Sequence, residues 1–234
     1  MRTDETREEV SKCEEELISN FAYYLDYFDQ NHPFRNDQLK PHQETINRLR
    51  ILGNVKRAIY DNEFIESLVK TLYAWGLYRG AELLSEKEIS NNLRDLQIES
   101  QLTKLEAFFI DAPNLNGNEI AKSLWELINN EKFKITSASN KIVSCSKTLH
   151  HLLPDLVPPI DRAYTRAFFR WYGQQFQYKP KEVFLDIFEG LVRIAKNTPN
   201  LRQYVTNKGW RTSRTKLIDN AIIGFCLKNE LYLS

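Results

Sequence analysis

An aspartate that follows two prolines is the residue of this chain best placed by its type and surroundings to do chemistry. Pro158 and Pro159 come just before Asp161, and a helical run follows at once. Because proline disfavours helix in the residue before it, the connector is expected to be extended here, so that Asp161 begins a helix. Its carboxylate is then expected to accept a backbone N–H group of Ala163 or Tyr164. Helix capping alone and a catalytic role both explain this position.

Two lysines upstream of this aspartate are candidate nucleophiles. Lys141 lies 20 positions before Asp161, and Lys147 lies two turns further along a helix that we predict over Ile142–Leu152. A desolvated lysine can attack an electrophilic carbon and form a Schiff base, whereas a fixed carboxylate can stabilise developing positive charge. Solvent-exposed or phosphate-binding roles would also suit both lysines, so the sequence leaves the choice open.

The elements that must position these residues are helices. Apolar residues recur at three- and four-residue steps through most of the chain, and the segment 132–136 is the one weak strand candidate. A long first helix is predicted over about 3–29. Another is predicted from Ser85, whose pairing with Glu88 forms a capping-box pattern, and its apolar stripe continues to Leu105. The sequence therefore predicts an all-α protein of roughly nine or ten helices.

Composition excludes several classes of protein. The chain has 234 residues, of which 42% are hydrophobic and 12% aromatic, so a buried core is expected and disorder is not. With 32 basic and 31 acidic residues, any affinity for nucleic acid must come from local clustering. The three cysteines have no spacing that suits zinc or an iron–sulfur cluster. Without a signal peptide or an apolar span, a reduced cytoplasmic protein is expected.

The stretch from 135 to 173 resembles the core of the helix-hairpin-helix DNA glycosylases. In that family a pattern L-P-G-V-G-x-K leads into a helix, and a valine–aspartate pair opens a second helix with arginines downstream. Here the segment Ile135–Lys141 lies on the hairpin pattern, and Asp161, preceded by isoleucine, lies on the pair. Arg166 and Arg170 lie at the spacing of the downstream arginines. About forty residues carry the resemblance.

The chain departs from the family pattern at the hairpin. Ser137 and Ser139 stand where the family has glycines, which let backbone amides approach a DNA phosphate closely. Serine hydroxyls can donate hydrogen bonds but resist positive φ, so hairpin contact with DNA is expected to be altered or weaker. Ala163 stands where histidine is frequent. The resemblance implies that Ser137, Ser139 and Asn140 contact DNA, that Asp161 is catalytic, and that Lys141 takes the nucleophile position.

Other residues are candidates for binding DNA and the flipped base. We predict a phosphate-contacting ridge of Arg162, Arg166 and Arg170, a basic loop with Lys208, Trp210 and Arg211, and a base pocket with Tyr164, Trp75 and His150. Each has a structural alternative: a solvated arginine stripe, a core position for either tryptophan, and packing or hydrogen bonding for the histidine. His150 and His151 are helix neighbours that point about 100° apart, so we predict no metal site.

The resemblance implies a bilobal all-α glycosylase, with residues 1–35 and 174–234 in one lobe and 36–173 in the other. A cleft between the lobes would place Asp161 opposite the base. We expect a monomeric, cofactor-free enzyme that acts on duplex DNA with a flipped base or on single-stranded DNA, with no membrane partner. The family's range includes base repair and bacterial defence against phage DNA with hypermodified bases. A catalytically inactive nucleic-acid-binding protein, or a helical interaction protein without DNA, is the alternative.

Overall fold

Helices make up nearly all of the regular structure in this protein. The computed structural model describes residues 3–78, 82–138, 141–171 and 175–231. The helices are α1 (Asp4–Ser19), α2 (Phe21–Asn31), α3 (Asn36–Leu52), α4 (Val55–Tyr60), α5 (Asn62–Ala74), α6 (Glu86–Leu93), α7 (Leu96–Leu105), α8 (Gly117–Asn129), α9 (Ile142–Leu152), α10 (Tyr164–Phe168), α11 (Gln175–Tyr178), α12 (Pro180–Asn197) and α13 (Arg214–Lys228), with a 3-10 helix (Leu201–Tyr204) before α13. The predicted all-α class is confirmed. None of the helices in the described ranges is long and apolar enough to cross a membrane.

The two ends of the chain pack together, and the middle of the chain packs beside them. Helix α13 lies along α2, and α1 contacts α12 and α13. In the middle of the chain, α3 packs on α5, and α9 contacts both. Two further contacts join these groups, α8 with α12 and α10 with α13, and most of the buried apolar side chains form one continuous cluster. The division into two lobes stays a prediction.

Two helices predicted as continuous are interrupted. The long first helix is interrupted at Asn20, whose side-chain amide donates to the Glu16 carbonyl instead of continuing the helix. The stripe that begins at Ser85 is also interrupted, because Asp95 caps a new helix by accepting from Gln97 N. Periodicity continues across both breaks, so it could not reveal them. The capping box of Ser85 with Glu88 is confirmed.

The segment that resembles a hairpin pairs with the loop before α6. Leu83 and Thr136 form an isolated antiparallel bridge. Ser137 N donates to the Glu82 carbonyl at 2.9 Å, and the Ser137 hydroxyl accepts from Glu82 N at 3.0 Å. The weak strand candidate therefore forms one bridge and no strand in the described residues, and Ser137 already has a partner within the fold.

Replacing Gly224 by alanine is expected to destabilise the protein by about 1–3 kcal/mol. Helix α13 approaches α2 so closely here that an added Cβ would overlap the backbone carbonyl of Tyr24. The free energy of unfolding, measured by urea denaturation, should fall. Gly117→Ala is the matched control, because its Cβ would meet only the side chain of Val192, at 3.2 Å. Equal effects of the two substitutions would contradict the close packing of α2 and α13.

Candidate functional site

One pocket is built from both ends of the chain and from its middle. Its cavity volume is about 80 Å³, or about 430 Å³ when the open solvent at its mouth is counted. The side chains that line it are Phe34, Gln38, Trp75, Lys147, Pro159, Asp161, Trp210, Lys216 and Asp219. Aromatic walls with a few charged groups are typical of ligand sites. The pocket gathers Asp161, Lys147, Trp75 and Trp210 from the predicted site residues.

Asp161 is held by the turn that precedes α10. One carboxylate oxygen, Oδ1, accepts from Tyr164 N at 2.6 Å and from Thr165 N at 3.4 Å, and Asp161 N donates to Thr165 Oγ1 at 3.2 Å. The predicted cap through Tyr164 is confirmed. The helix itself begins only at Tyr164, so Asp161 precedes it instead of being its first residue. Oδ2 has no hydrogen bond within the described residues, while the side chain lines the pocket.

The structure separates the two candidate lysines. Lys147 lines the pocket; its Nζ donates to the Trp75 carbonyl at 2.9 Å and lies 5.8 Å from the centre of that residue's ring. Lys141 caps the start of α9, and its Nζ lies 3.5 Å from the Asn130 carbonyl, away from the pocket lining. Six helical residues rotate the chain by about 240°, which explains why the two side chains point in different directions.

A buried ion pair on α13 forms part of the pocket and was missed by the sequence reasoning. Lys216 Nζ lies 2.5 Å from Asp219 Oδ2, and these residues are 2% and 6% exposed. The Nζ also lies 5.1–5.7 Å from the centres of four rings, those of Phe28, Phe34, Trp75 and Trp210. The sequence does contain a sign of this pair: a lysine and an aspartate lie three residues apart within the apolar run of α13, and such residues share one face of a helix.

Asp219 differs from an exposed aspartate in its proton affinity. Its pKa is raised to about 6, chiefly by burial and also by the neighbouring carboxylate of Asp161, while the ammonium groups of Lys216 and Lys147 oppose the shift. Removing a carboxylate from water disfavours its charged form, which is why burial dominates. Two carboxylates and two ammonium groups therefore interact across this one pocket.

Two tryptophans from distant segments form the aromatic walls. Trp75 ends α5, and its indole N–H donates to the Gln38 carbonyl at 3.3 Å. Trp210 is only 4% exposed and packs on Phe34, with ring centres 5.3 Å apart. Its ring also lies on His42, 5.7 Å away and tilted by 19°. Trp210 is thus a pocket wall and not an exposed loop residue, because α3 and α13 close over it.

The predicted ridge of arginines does not form. Helix α10 has only five residues, and Arg170 adopts a left-handed conformation with φ 55° and pairs with Glu9 at 3.8 Å. The chain turns here so that Trp171 is buried, with its indole N–H donating to Asp186 Oδ2 at 2.7 Å. Arg166 is half-buried on α10, and Arg162 is exposed in the turn after Asp161, so the arginines share no helix face.

The remaining candidates lie in several places. Arg211 forms ion pairs of 2.6–2.7 Å with Asp26 and Asp29, which balance its charge within the fold, while Lys208 is exposed in the same loop. Tyr164 contributes its backbone to the Asp161 turn but not its side chain to the pocket. Of the hairpin residues, Ser139 and Asn140 lie outside the described residues.

His150 lies beneath the pocket instead of lining it. Together with His42 and His151 it forms a cluster in which all three side chains are 0% exposed. His42 Nδ1 lies 2.9 Å from His151 Nε2, and one ring nitrogen from each residue lies within 4.8 Å of the others. The prediction of no metal site considered only His150 and His151, which are neighbours on one helix. A third histidine, His42 on α3, approaches both of them and completes the cluster.

The three histidines are surrounded by backbone carbonyls and threonine hydroxyls. His150 Nδ1 lies 3.1 Å from the Val157 carbonyl, and His151 Nδ1 lies 2.7 Å from the Lys147 carbonyl. His42 Nε2 lies 2.8 Å from Thr212 Oγ1. Burial lowers the pKa of all three rings, that of His151 to about 4, so their neutral forms are favoured.

Comparisons with known proteins give no relative for this chain. No protein-family model matches it, and searches of curated proteins and of solved structures found no match. The resemblance to helix-hairpin-helix glycosylases therefore depends on the motif residues alone.

The fold is expected to lose stability as the pH falls from about 6.5 towards 4. The folded-state pKa of each clustered histidine is below its usual 6.5, so the unfolded chain binds these protons first. The raised pKa of Asp219 works in the opposite direction, because its contribution is lost as the pH rises through about 6. With three groups against one, the free energy of unfolding should fall by about 1 kcal/mol or more per pH unit between 6.5 and 5.

Urea denaturation at pH 7, 6 and 5 would measure this slope, in buffers with a chelator so that only protons compete for the ring nitrogens. His150→Asn should make the slope shallower because one of the three protonation sites is removed. A free energy of unfolding that is constant over this range in the unaltered protein would contradict the neutral, buried state of the cluster.

Proposed function

We propose that this protein is a DNA N-glycosylase that holds a flipped base in the pocket and breaks its bond to the sugar beside Asp161. The observation that carries the proposal is that Asp161 and Lys147 meet the indoles of Trp75 and Trp210 in one pocket. Aromatic walls can hold a flipped base and a carboxylate can stabilise charge on its sugar, while an amine is needed only in the form of the reaction that passes through a Schiff base. The bilobal glycosylase fold and the DNA partner are parts of the same proposal.

The aromatic walls supply the binding of the base. A base leaves the duplex stack at a cost of a few kcal/mol, and stacking against aromatic side chains offsets that cost. Trp75, Trp210 and Phe34 present such faces, and Gln38 adds an amide that can hydrogen-bond a base edge. These walls favour a planar heterocycle over a sugar or a peptide as the buried part of the substrate.

Asp161 supplies the chemistry at the sugar. Departure of the base leaves positive, oxocarbenium-like charge on the sugar, which a fixed carboxylate stabilises. The two backbone N–H groups that hold Oδ1 fix the side chain before substrate arrives, so no reorganisation is needed during the reaction. Asp161 can also accept a proton from a water molecule that attacks the sugar. The bond from sugar to base breaks, and the bond from sugar to water oxygen forms.

Lys147 is the lysine placed to act as a nucleophile in a second form of this reaction. After its ammonium group has given a proton to one of the pocket carboxylates, the amine nitrogen can attack the sugar: the nitrogen–sugar bond forms as the sugar–base bond breaks, and loss of a second proton leads to a Schiff base, which permits strand cleavage. Its Nζ shares the pocket with Asp161, whereas the Nζ of Lys141 lies near the Asn130 carbonyl. Within the proposal, Lys147 therefore replaces Lys141, the lysine that the family motif indicates.

Backbone contacts with DNA are assigned to exposed cations around the pocket. Arg162 follows Asp161 directly and Lys208 precedes Trp210 by two residues; both are exposed. Neither forms an ion pair with the residues that the structure describes, in contrast to Arg211. Cations of this kind bind phosphates in a salt-dependent way without reading sequence.

Asp161→Asn is expected to lower base release at least about 100-fold while the protein stays folded. Asparagine can still cap α10 but cannot stabilise positive charge or accept a proton from water. The measurement is release of the base from DNAs that carry damaged or modified bases, followed by heat or alkali to cleave abasic sites. Asp95→Asn is the matched control, since Asp95 also caps a helix, α7, outside the pocket. Full base release by the Asp161 variant would contradict the proposal. If the unaltered protein and the Asp161 variant bind DNA equally well and neither releases a base, a binding function would be favoured.

Lys147→Gln is expected to abolish a covalent adduct with DNA after borohydride reduction, whereas Lys141→Gln should retain it. The reason is that Lys147 lines the pocket with Asp161, whereas Lys141 does not. The two substitutions remove the same group from the same region of α9 and so control for charge. An adduct that survives Lys147→Gln but not Lys141→Gln would reverse the assignment. Base release without any adduct in the unaltered protein would assign the reaction to water and Asp161.

A further inference from the structure

The ring nitrogens of the histidine cluster face one another in a defined protonation pattern. A backbone carbonyl can only accept, so His151 Nδ1 must donate to the Lys147 carbonyl and His150 Nδ1 to the Val157 carbonyl. The neutral forms of both rings then have unprotonated Nε2 atoms. His151 Nε2 accepts from His42 Nδ1, while His150 Nε2 is buried and has no hydrogen-bond partner. A buried acceptor without a partner is costly and calls for an explanation.

This arrangement has the two properties of a metal-binding histidine set. One ring nitrogen from each residue lies within 4.8 Å of the others, His42 Nδ1 lies 2.9 Å from His151 Nε2, and His150 Nε2 is the nitrogen of the third ring that has no hydrogen-bond partner. The opposite nitrogen of each ring has an oxygen partner, which for His42 is Thr212 Oγ1. Metal-ligating histidines almost always donate their second N–H to such an oxygen, because it fixes the tautomer and the ring orientation.

We infer that His42, His150 and His151 form a binding site for one divalent transition metal ion of the zinc type. Imidazole nitrogens suit zinc, copper, nickel and iron and do not suit magnesium or calcium. Zinc–nitrogen bonds of about 2.1 Å place the ligand atoms of a tetrahedral site roughly 3.4 Å apart. The distance of 2.9 Å between His42 Nδ1 and His151 Nε2 must therefore widen slightly. The fourth ligand position would be taken by water or a small anion.

Binding requires one proton to move. Without metal, His42 carries its proton on Nδ1, where it bonds to His151, and accepts from the Thr212 hydroxyl on Nε2. With metal, the proton lies on Nε2, where Thr212 Oγ1 accepts it, and Nδ1 binds the ion. All three rings stay neutral, so no net proton is released at pH 7.

The site lies one layer below the pocket and does not depend on the proposed glycosylase activity. His42 lies against the ring of Trp210, and His151 bonds to the backbone of Lys147. An ion here would fix α3, α9 and the loop before α13 relative to one another, since those elements carry the three ligands and Thr212. Its role would be to hold the floor of the pocket, while the reaction takes place above it.

Metal content is the first test. Metal-depleted protein, incubated with excess zinc chloride and then desalted, should retain one zinc per chain by inductively coupled plasma mass spectrometry. His150→Asn should retain at least ten-fold less, whereas His32→Asn should retain as much as the unaltered protein, because His32 is the one histidine outside the cluster. Absence of bound zinc in the unaltered protein, or equal loss in both variants, would overturn the inference.

Imidazole nitrogen NMR of the unaltered protein gives a second test that needs no variant to fold. On addition of one equivalent of zinc, the His42 ring should change from the Nδ1–H to the Nε2–H tautomer, with His150 and His151 remaining Nδ1–H. The Nε2 resonances of His150 and His151 should shift at the same time. Unchanged spectra of all three rings, or a shift of His32 alone, would overturn the inference.

Discussion

The buried ion pair between Lys216 and Asp219 is the interaction on which the pocket depends. Removing an ammonium and a carboxylate from water costs several kcal/mol each, and only close pairing offsets that cost. The contact of 2.5 Å, together with the four ring faces around Lys216 Nζ, supplies the pairing. Because both residues lie on α13, the pair keeps the two charges together on the face of this helix that meets Trp75 and Trp210. Those two rings become the walls beside Asp161.

A second polar layer supports the first. The loop before α13 brings Thr212 to His42, and the first turn of α13 brings Thr215 to His150, at 2.8 and 3.0 Å. The backbone of Lys147 binds the third histidine, so the residue that presents an amine to the pocket also anchors the cluster below it. Around the pocket, the buried structure is therefore held by polar groups as well as by apolar ones. Such networks are stabilising only when nearly every member has a partner.

The sequence predicted local features of the site well and long-range ones poorly. Helix α9 and the capping by Asp161 follow from proline, capping and periodicity rules, which act within a few residues. The choice between Lys141 and Lys147 could not be made, because it depends on which face of α9 packs against α3 and α5. His42 is more than a hundred positions from its partners, so no spacing rule connects them. Lys216 was hidden because α13 is buried on nearly all sides and shows no single polar face.

The same contrast explains why the predicted ridge of arginines does not form and why Arg211 is paired within the fold. The sequence alone shows which residues are basic but not which of them are paired in the fold. Arg211 pairs with two aspartates that lie nearly two hundred positions away, and Arg170 lies beyond the end of the helix in a left-handed conformation. Apolar periodicity cannot show where a helix stops when the residues beyond it remain apolar. A run of aromatic residues after Asp161 therefore gave a longer helix than the five residues of α10.

The central claim is that the pocket stabilises positive charge on a sugar whose base has left. The most direct test is binding of duplex DNA that carries either a cationic pyrrolidine or a neutral tetrahydrofuran in place of one nucleotide, measured by fluorescence anisotropy at fixed salt. Both analogues lack a base and have nearly the same shape, so they differ mainly in charge. The account predicts at least ten-fold tighter binding of the cationic site, with the preference lost in Asp161→Asn. Equal affinity for the two duplexes in the unaltered protein would contradict it.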